Sequence, residues 1–366
     1  AAVDFDALAT ELTGRFSEGV DSPWSDSDFG ALASRVFEYQ FAHNSTYRLY
    51  SERRGATPQT VRSWREVPLV PTDAFKHLDL VAGEAQGVEA VFHTSGTGTK
   101  GVAPGRHLIP RLSLYRASLL APFKAHLLPD RERLRFISLI PSPEELPRSS
   151  LSHMVEVGAQ AFASEVQWVI DGTGLIDRER LESAMRDCRR DGEAVLLLGT
   201  AFSFVHALDQ DALGALPPGS RIMETGGFKG RSREVANSEL YQSLSSQTKV
   251  SRDCIVNEYG MTELLSQLYT PVLSEGAADG GAHVLPPWLR VRVLDPSTLD
   301  EVEEGTEGLL AFFDLANAGS VCHVLTEDVG SVLGGRLRLA GQVTGAEPRG
   351  CSMAMDDLMA ASQTSR

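Results

Sequence analysis

An α/β fold built on a largely parallel sheet is what this 366-residue sequence predicts, on three observations. Between residues 111 and 213, helical segments alternate with short apolar runs, the pattern of helices covering a parallel sheet. From about residue 282 the texture changes to short strands separated by turn residues, which reads as a small β subdomain. The chain is also long enough for two or three lobes, and its 42% hydrophobic and 23% charged residues are near the norm for soluble globular proteins.

Taken in order, the stretch from Phe5 to about Leu49 reads as helical. Phe29, Leu32, Val36, Phe37 and Tyr39 fall mostly on one face, and Ser25 or Asp26 is placed to cap. VPLVPTDAFKHLDL follows, where two prolines forbid a continuous helix and predict an extended crossing. AVFHTSGTGTKG reads as a strand and a glycine-rich loop. The alternation then runs helix 111–127, strand 134–140, helix 149–163, strand 166–171, helix 178–192, strand 194–199 and helix 202–213. Residues 284–319 and 322–341 supply the short strands, and AMDDLMAASQ is weakly helical. The expected division is therefore 1–281 as an α/β domain, 282–344 as the β subdomain and 345–366 as a short tail.

Charge and cysteine usage narrow the function. The net charge of −15, with no basic cluster apart from acidic neighbours, opposes nucleic-acid binding, so an anionic ligand must be held by local devices such as backbone amides. No apolar run reaches the ~20 residues of a membrane span, and the first residues lack a secretory pattern. Cys188, Cys254, Cys322 and Cys351 are scattered singly, without zinc-site spacing or disulfide density. The expectation is a soluble, cytoplasmic protein without a structural metal.

Two stretches carry chemistry. In TSGTGTKG (94–101), glycines, hydroxyls and a lysine after a strand offer what a polyphosphate needs from a loop, although the spacing is not that of a Walker A motif. A glycine-rich turn with no ligand is the plainer reading. In NEYGMTELLSQLY (257–269), a Tyr-Gly pair ends a strand and Thr-Glu is expected to open a helix. An aromatic face, a hydroxyl and a carboxylate thus meet at a strand's carboxyl end, where parallel sheets bind ligands. The plainer reading there is a helix start capped by Thr262.

The order of TSGTGTKG, YGMTE and the acidic turn TEDVG (326–330) resembles that of adenylate-forming enzymes. METGGFKGRSRE, NEYGMTE, TEDVG and GAEPRGCSM, with FEYQFAHNSTYRLY and WREVPLVPTDAFK, narrow the resemblance to the acyl-protein synthetase family, the fatty-acid-activating component of the bacterial bioluminescence fatty acid reductase. The likeness runs from roughly residue 30 to 355. It implies the adenylate-forming large-domain architecture, α/β sheets flanked by helices plus a small β subdomain, without the full carboxyl-terminal lobe.

It further implies a reaction and roles. A carboxylic acid and ATP would give an acyl-adenylate, and the acyl group would pass to Cys351 and then to a partner reductase. Thr94, Ser95, Gly96, Thr97 and Gly98 would wrap the phosphates, with Lys100 as cationic contact. Gly226 and Gly227 would let backbone approach the adenine or the carboxylate. Tyr259, next to Gly260, would stack on adenine, Thr262 would contact the α-phosphate, Glu263 would hold Mg²⁺ and Asp328 would bind the ribose. Arg349 beside Cys351 would favour the thiolate, and Gly345 and Gly350 would act as a hinge.

The expected departures from the wider pattern are three: no room for the larger relatives' carboxyl-terminal lobe and its lysine, Gln342 after Gly341 where an arginine is expected, and a compact phosphate loop. LLLGTAFSFVHAL and SLSHMVEV are the expected walls of an acyl pocket, with His153 and His206 as buried polar residues. Transfer to coenzyme A, a carrier protein or an amine, and an inactive nucleotide-binding scaffold, remain the alternatives.

Overall fold

The structure, a computed structural model, describes residues 2–94, 103–226, 233–343 and 348–365. The first helices form as the spacing predicts. In α1 (Phe5–Ser17), capped by Asp4, Leu8, Leu12 and Phe16 are fully buried on one side. Ser25, rather than Asp26, caps α2 (Asp26–His43), its Oγ accepting from Asp28 N. Asn44 ends α2 and caps α3 (Ser45–Arg53). Short 3₁₀ turns then flank β1 (Val70–Pro71), the extended crossing that the prolines impose.

β2 (Ala90–His93) and β3 (Arg106–Ile109) form a separate antiparallel pair. The predicted alternation follows as α4 (Leu112–Leu127), β4 (Leu134–Leu139), α5 (Ser150–Phe162), β5 (Ala163–Trp168), α6 (Arg178–Asp191), β6 (Val195–Thr200) and α7 (Ala201–Asp209), and the structure continues it with β7 (Arg221–Thr225), α8 (Arg233–Thr248), β8 (Ile255–Tyr259), β9 (Leu268–Tyr269) and the single turn α9 (Val272–Glu275). Their six-stranded sheet has the order β5-β4-β6-β7-β8-β9, parallel throughout except for β9.

Two-residue periodicity decides what covers each face. Phe136, Leu196, Leu198, Met223 and Val256 join the core under α4 and α5, while Ile137, Val195, Leu197, Ile222 and Ile255 pack with Leu181 and Met185 of α6, Phe204 of α7 and Leu244 of α8. SLSHMVEV and LLLGTAFSFVHAL therefore place helices on opposite faces, and α5 and α7 cannot wall one pocket. His206 is exposed on α7, contrary to the buried setting expected of it.

The second sheet has the order β1-β12-β11-β10, built from β10 (Leu289–Leu294), β11 (Gly308–Asp314) and β12 (His323–Leu333), with β13 (Arg336–Gln342) also paired to β12. It recruits β1, parallel to β12, so it is not confined to residues 282–344. TEDVG is not a turn but the middle of β12; the hairpin turn comes later, at Gly334–Gly335, both at positive φ. At Gly330 a Cβ would lie 2.4 Å from the Arg338 carbonyl and 3.3 Å from the Leu310 side chain. Gly330→Ala should therefore cost about 1–3 kcal/mol through forced separation of β12 and β13, read as a lowered urea midpoint. An unchanged midpoint would contradict that packing.

The expected tail is a full helix, α10 (Arg349–Thr364), which buries Leu358 and Ala361 against the neighbourhood of α3 and β1. Among the described residues no helix is long and apolar enough to cross a membrane.

Candidate nucleotide and acid site

The site lies where the parallel strands end. After β8 the chain does not enter a helix, as Thr-Glu led us to expect; it makes an irregular turn over 260–267 and returns as β9. Thr262 is therefore no helix cap. An irregular turn leaves backbone groups that must find partners elsewhere, and this one finds them in β3, in α4, at the end of the strand Gly308–Asp314 and in the connection after it. His107 Nδ1 meets the Thr262 carbonyl at 2.7 Å. Asn317 Nδ2 donates to the Glu263 carbonyl at 2.8 Å, and its Oδ1 accepts from Leu265 N at 3.1 Å. Asp314 accepts from Leu265 N, Ser266 N, the Ser266 hydroxyl and Ala316 N at 2.7–3.0 Å. The Ser118 hydroxyl donates to the Leu265 carbonyl.

Because a carbonyl can only accept, His107 carries its proton on Nδ1, and Nε2 then accepts from Ser320 Oγ at 2.8 Å. Burial pushes His107 down to about 4, so the ring is neutral at pH 7. Burial lifts Asp314 to about 6, partly offset by the bonds it accepts from Ser266 and the nearby backbone. His107, Ser118, Asp314 and Asn317, which hold this turn, are residues that the sequence reading missed. The available signal was FFDLAN, an Asp and an Asn inside an apolar run, since buried polar groups require partners.

The turn meets the entrance of the glycine-rich loop. Thr262 Oγ1 donates to the His93 carbonyl at 3.3 Å and lies 3.4 Å from Ser150 Oγ. Thr94 closes the base of that loop: its N–H donates to Gly105 O, and its Oγ1 accepts from Gly105 N at 2.8 Å. Ser95, Gly96, Thr97, Gly98, Lys100 and Gly227 lie outside the described residues. Gly226, at the end of β7, has φ +91°, a conformation natural to glycine. At Gly260 a Cβ would lie 2.5 Å from Glu258 Oε1, so the bare backbone leaves room for a buried carboxyl.

Tyr259 is brought to Asp328. Its hydroxyl donates to Asp328 Oδ2 at 2.7 Å while its ring lies 5.7 Å from that of Phe312. Gln342, standing where an arginine was expected, donates to Asp328 Oδ1 at 3.0 Å. Glu263 is half-buried; burial first, then the Asp328 and Glu327 charges, push it up to about 7 against the pull of Lys76. Lys76, itself held by Asp73 at 2.9 Å, is a further cation near this edge that the sequence reading did not single out. Among the described residues no three metal-binding side chains group together. Mg²⁺ needs only one or two carboxylates beside phosphate oxygens and water, a requirement that a single carboxylate such as Glu263 could meet.

Cys351 is not at this site. It is buried in the first turn of α10, in a cluster with Leu309, Ala311 and Leu325. Leu310 and Phe312, which alternate with them on β11, face the core that holds Tyr259. The thiol and the Tyr259–Asp328 pair thus sit on opposite faces of the second sheet. The expected glycine hinge is also not free at Gly350, where a Cβ would lie 2.5 Å from Leu299 Cγ. Arg349 is exposed beside the thiol in sequence.

Comparison with known proteins matches residues 28–360 to the family described as acyl-protein synthetase, LuxE. The long-chain-fatty-acid–luciferin-component ligase of Vibrio harveyi is 23% identical over 376 residues, covering 97% of this chain and 95% of that one. Among solved structures, a 2-hydroxyisobutyryl-CoA ligase in the postadenylation state superposes with a TM-score of 0.63 at 14% identity, over 87% of this chain and 68% of that one. ATP-bound MatB from Rhodopseudomonas palustris gives 0.49 at 15% identity over 72% of this chain, which spans about half (49%) of its length. The architecture is that of the adenylate-forming enzymes.

Proposed function

The chain belongs to the acyl-protein synthetase (LuxE) family, and from that premise we propose that it is an acid-activating ligase that joins a carboxylic acid to AMP and passes the acyl group to Cys351. The carrying observation is the meeting of Thr262 with the exit of β2, beside the Tyr259–Asp328 pair, at one edge of the parallel sheet. In the first step a carboxylate oxygen bonds to the α-phosphorus of ATP as the bond to pyrophosphate breaks. Two anions must approach, so cationic groups and backbone donors have to offset their repulsion.

In this reading Tyr259 offers its ring to adenine, with Gly260 leaving the approach open. Asp328, braced by Tyr259 and Gln342, accepts from the ribose hydroxyls. Thr94, Ser95, Gly96, Thr97, Gly98 and Lys100 take the β- and γ-phosphates, Gly226 and Gly227 let backbone approach, and Thr262 donates to the α-phosphate. Glu263 would hold Mg²⁺, which supplies charge neutralisation when bound.

In the second step the Cys351 sulfur bonds to the acyl carbon, AMP departs, and the thiol proton passes to solvent or to AMP. Its place on the far face of the second sheet means that α10 must leave its berth first, with Arg349 moving alongside. A partner reductase would then take the acyl group, in a reducing cytoplasm, a setting consistent with four cysteines that form no disulfide. The buried thiol favours a second reading, in which the acceptor is external: coenzyme A, a carrier protein or an amine.

Pyrophosphate release with a panel of acids tests the first step, and intact mass tests the second. Cys351→Ala should release pyrophosphate but gain no acyl mass. An adduct that survives the substitution, or thioester that forms only with an added acceptor, would transfer the second step to another nucleophile.

A further inference from the structure

The segment WREVPLVPTDAFK carries part of the family likeness but none of the roles assigned above. Its last residues form the 3₁₀ turn Thr72–Lys76, and strand pairing fixes where that turn lies. β1 runs parallel to β12, with Val70 beside Val324 and Pro71 beside Leu325, so the chain leaving β1 emerges next to Thr326, Glu327 and Asp328. The turn packs against both β12 and β3.

It also meets the base of the phosphate loop. A Cβ built at Gly105 would lie 3.2 Å from the Phe75 carbonyl carbon and 3.0 Å from the Thr94 side chain, so the Phe75 backbone is pressed against that base. The Phe75 ring stands edge-on to His107 at 5.3 Å, and His107 holds the Thr262 carbonyl. Lys76, the next residue, is itself held in place. Asp73 accepts from its Nζ at 2.9 Å, and His77 Nε2 meets the other Asp73 oxygen at 3.2 Å. That hydrogen bond first, and then the charges of Asp73, Glu327 and Glu263, keep the ammonium above the usual lysine value against partial burial. The side chain is 44% exposed, and an ammonium has three donors, so Asp73 leaves others to serve a ligand.

Glu263, Glu327 and Asp328 bring negative charge to the edge where a nucleotide and an acid, both anions, must meet. A nucleotide with its ribose on Asp328 and its β- and γ-phosphates in the loop that Thr94 closes has its α-phosphate between them. The turn that ends in Lys76 borders that interval, touching β12 on one hand and the loop's base on the other. We propose that Lys76 is a catalytic residue of the adenylation step, its ammonium donating to the α-phosphate while the carboxylate oxygen bonds to phosphorus and pyrophosphate leaves. The lysine keeps its proton throughout. Its charge counts most as negative charge collects on the phosphoryl oxygens, and no rearrangement is needed because Asp73 already holds it. This rests on the adenylating function proposed above and adds to it a cation outside the glycine-rich loop.

The test compares wild type, Lys76→Met and Lys76→Arg by kcat/KM for pyrophosphate release with a saturated fatty acid and by affinity for AMP and for adenosine. The exposed Lys76–Asp73 pair adds little to stability, so Lys76→Met should fold. It should lose about a hundredfold in kcat/KM, as when one donor to developing charge is removed. Its AMP affinity should weaken by about tenfold, the worth of a charged hydrogen bond, while adenosine, which has no phosphate, binds as before. Lys76→Arg keeps the charge and should recover most of both losses. Wild-type turnover in Lys76→Met overturns the proposal, as does an equal loss of AMP and adenosine affinity, which marks a structural support. A wild type that binds neither AMP nor adenosine and releases no pyrophosphate with any acid removes the adenylation reading itself, a distinguishable result.

Discussion

Asp314→Ala lowers the unfolding free energy by about 3–5 kcal/mol, the largest loss expected from any single substitution outside the apolar core. The carboxylate accepts four hydrogen bonds, three of them from Leu265 and Ser266. Alanine leaves Ser266 N, the Ser266 hydroxyl and Ala316 N without this acceptor, each at a cost of about 1–3 kcal/mol before relaxation, while Leu265 N keeps only the Asn317 side chain. For a chain of this length the loss corresponds to a melting temperature lower by roughly 4–7 °C. Asp314→Asn keeps one acceptor oxygen and should fall about halfway.

The same substitution should disable adenylation beyond what stability explains. Thr262 and Glu263 have no helix to hold them; their carbonyls meet His107 and Asn317, and Asp314 fixes Leu265 and Ser266, which follow them in the same turn. Pyrophosphate release by Asp314→Ala, assayed well below its melting transition, should drop about tenfold or more, since misplacement of catalytic groups by fractions of an ångström is costly. A variant that melts with the wild type would show that the Asp314 bonds do not hold the turn.

That clamp marks where the sequence could and could not be read. The alternation from α4 to α7 was legible because its signal is local: apolar spacing sets each element, and elements of that kind close into one parallel sheet. The turn after Tyr259 was misread because Thr-Glu before an apolar run is also how a helix begins, and what overrides it is contact with Asp314 and Asn317, some fifty residues away. TEDVG carried a turn's composition, yet its backbone is claimed by β11 and β13 on either side. The pairing of Tyr259 with Asp328 joins two motifs that the family resemblance had named separately. Cys351 was identifiable as a residue type and position, but its burial behind the second sheet depends on Leu309, Ala311 and Leu325, whose facing follows from strand register.

Glu263→Gln provides the second large effect, and pH separates its two parts. The folded chain holds this carboxyl near 7, against an ordinary value of 4.5, chiefly through burial and then through Asp328 and Glu327. Between those values the folded state binds more protons than the unfolded one, so stability falls as pH rises. The favourable contribution is complete below about 4.5 and is lost as pH climbs through 7. Glutamine has no proton to lose. The variant should therefore match the wild type near pH 4.5 and exceed it by about 1–3 kcal/mol at pH 8, measured by urea unfolding without nucleotide or metal. Catalysis should move the other way, with pyrophosphate release falling about a hundredfold, because a neutral amide cannot replace a carboxylate as a Mg²⁺ ligand. The two results together would mark Glu263 as a carboxylate kept ionised for a cation at a cost in stability. If Glu263→Gln gains no stability at pH 8 and turns over at the wild-type rate, Glu263 is an ordinary surface acid and the metal must be sought elsewhere along this edge.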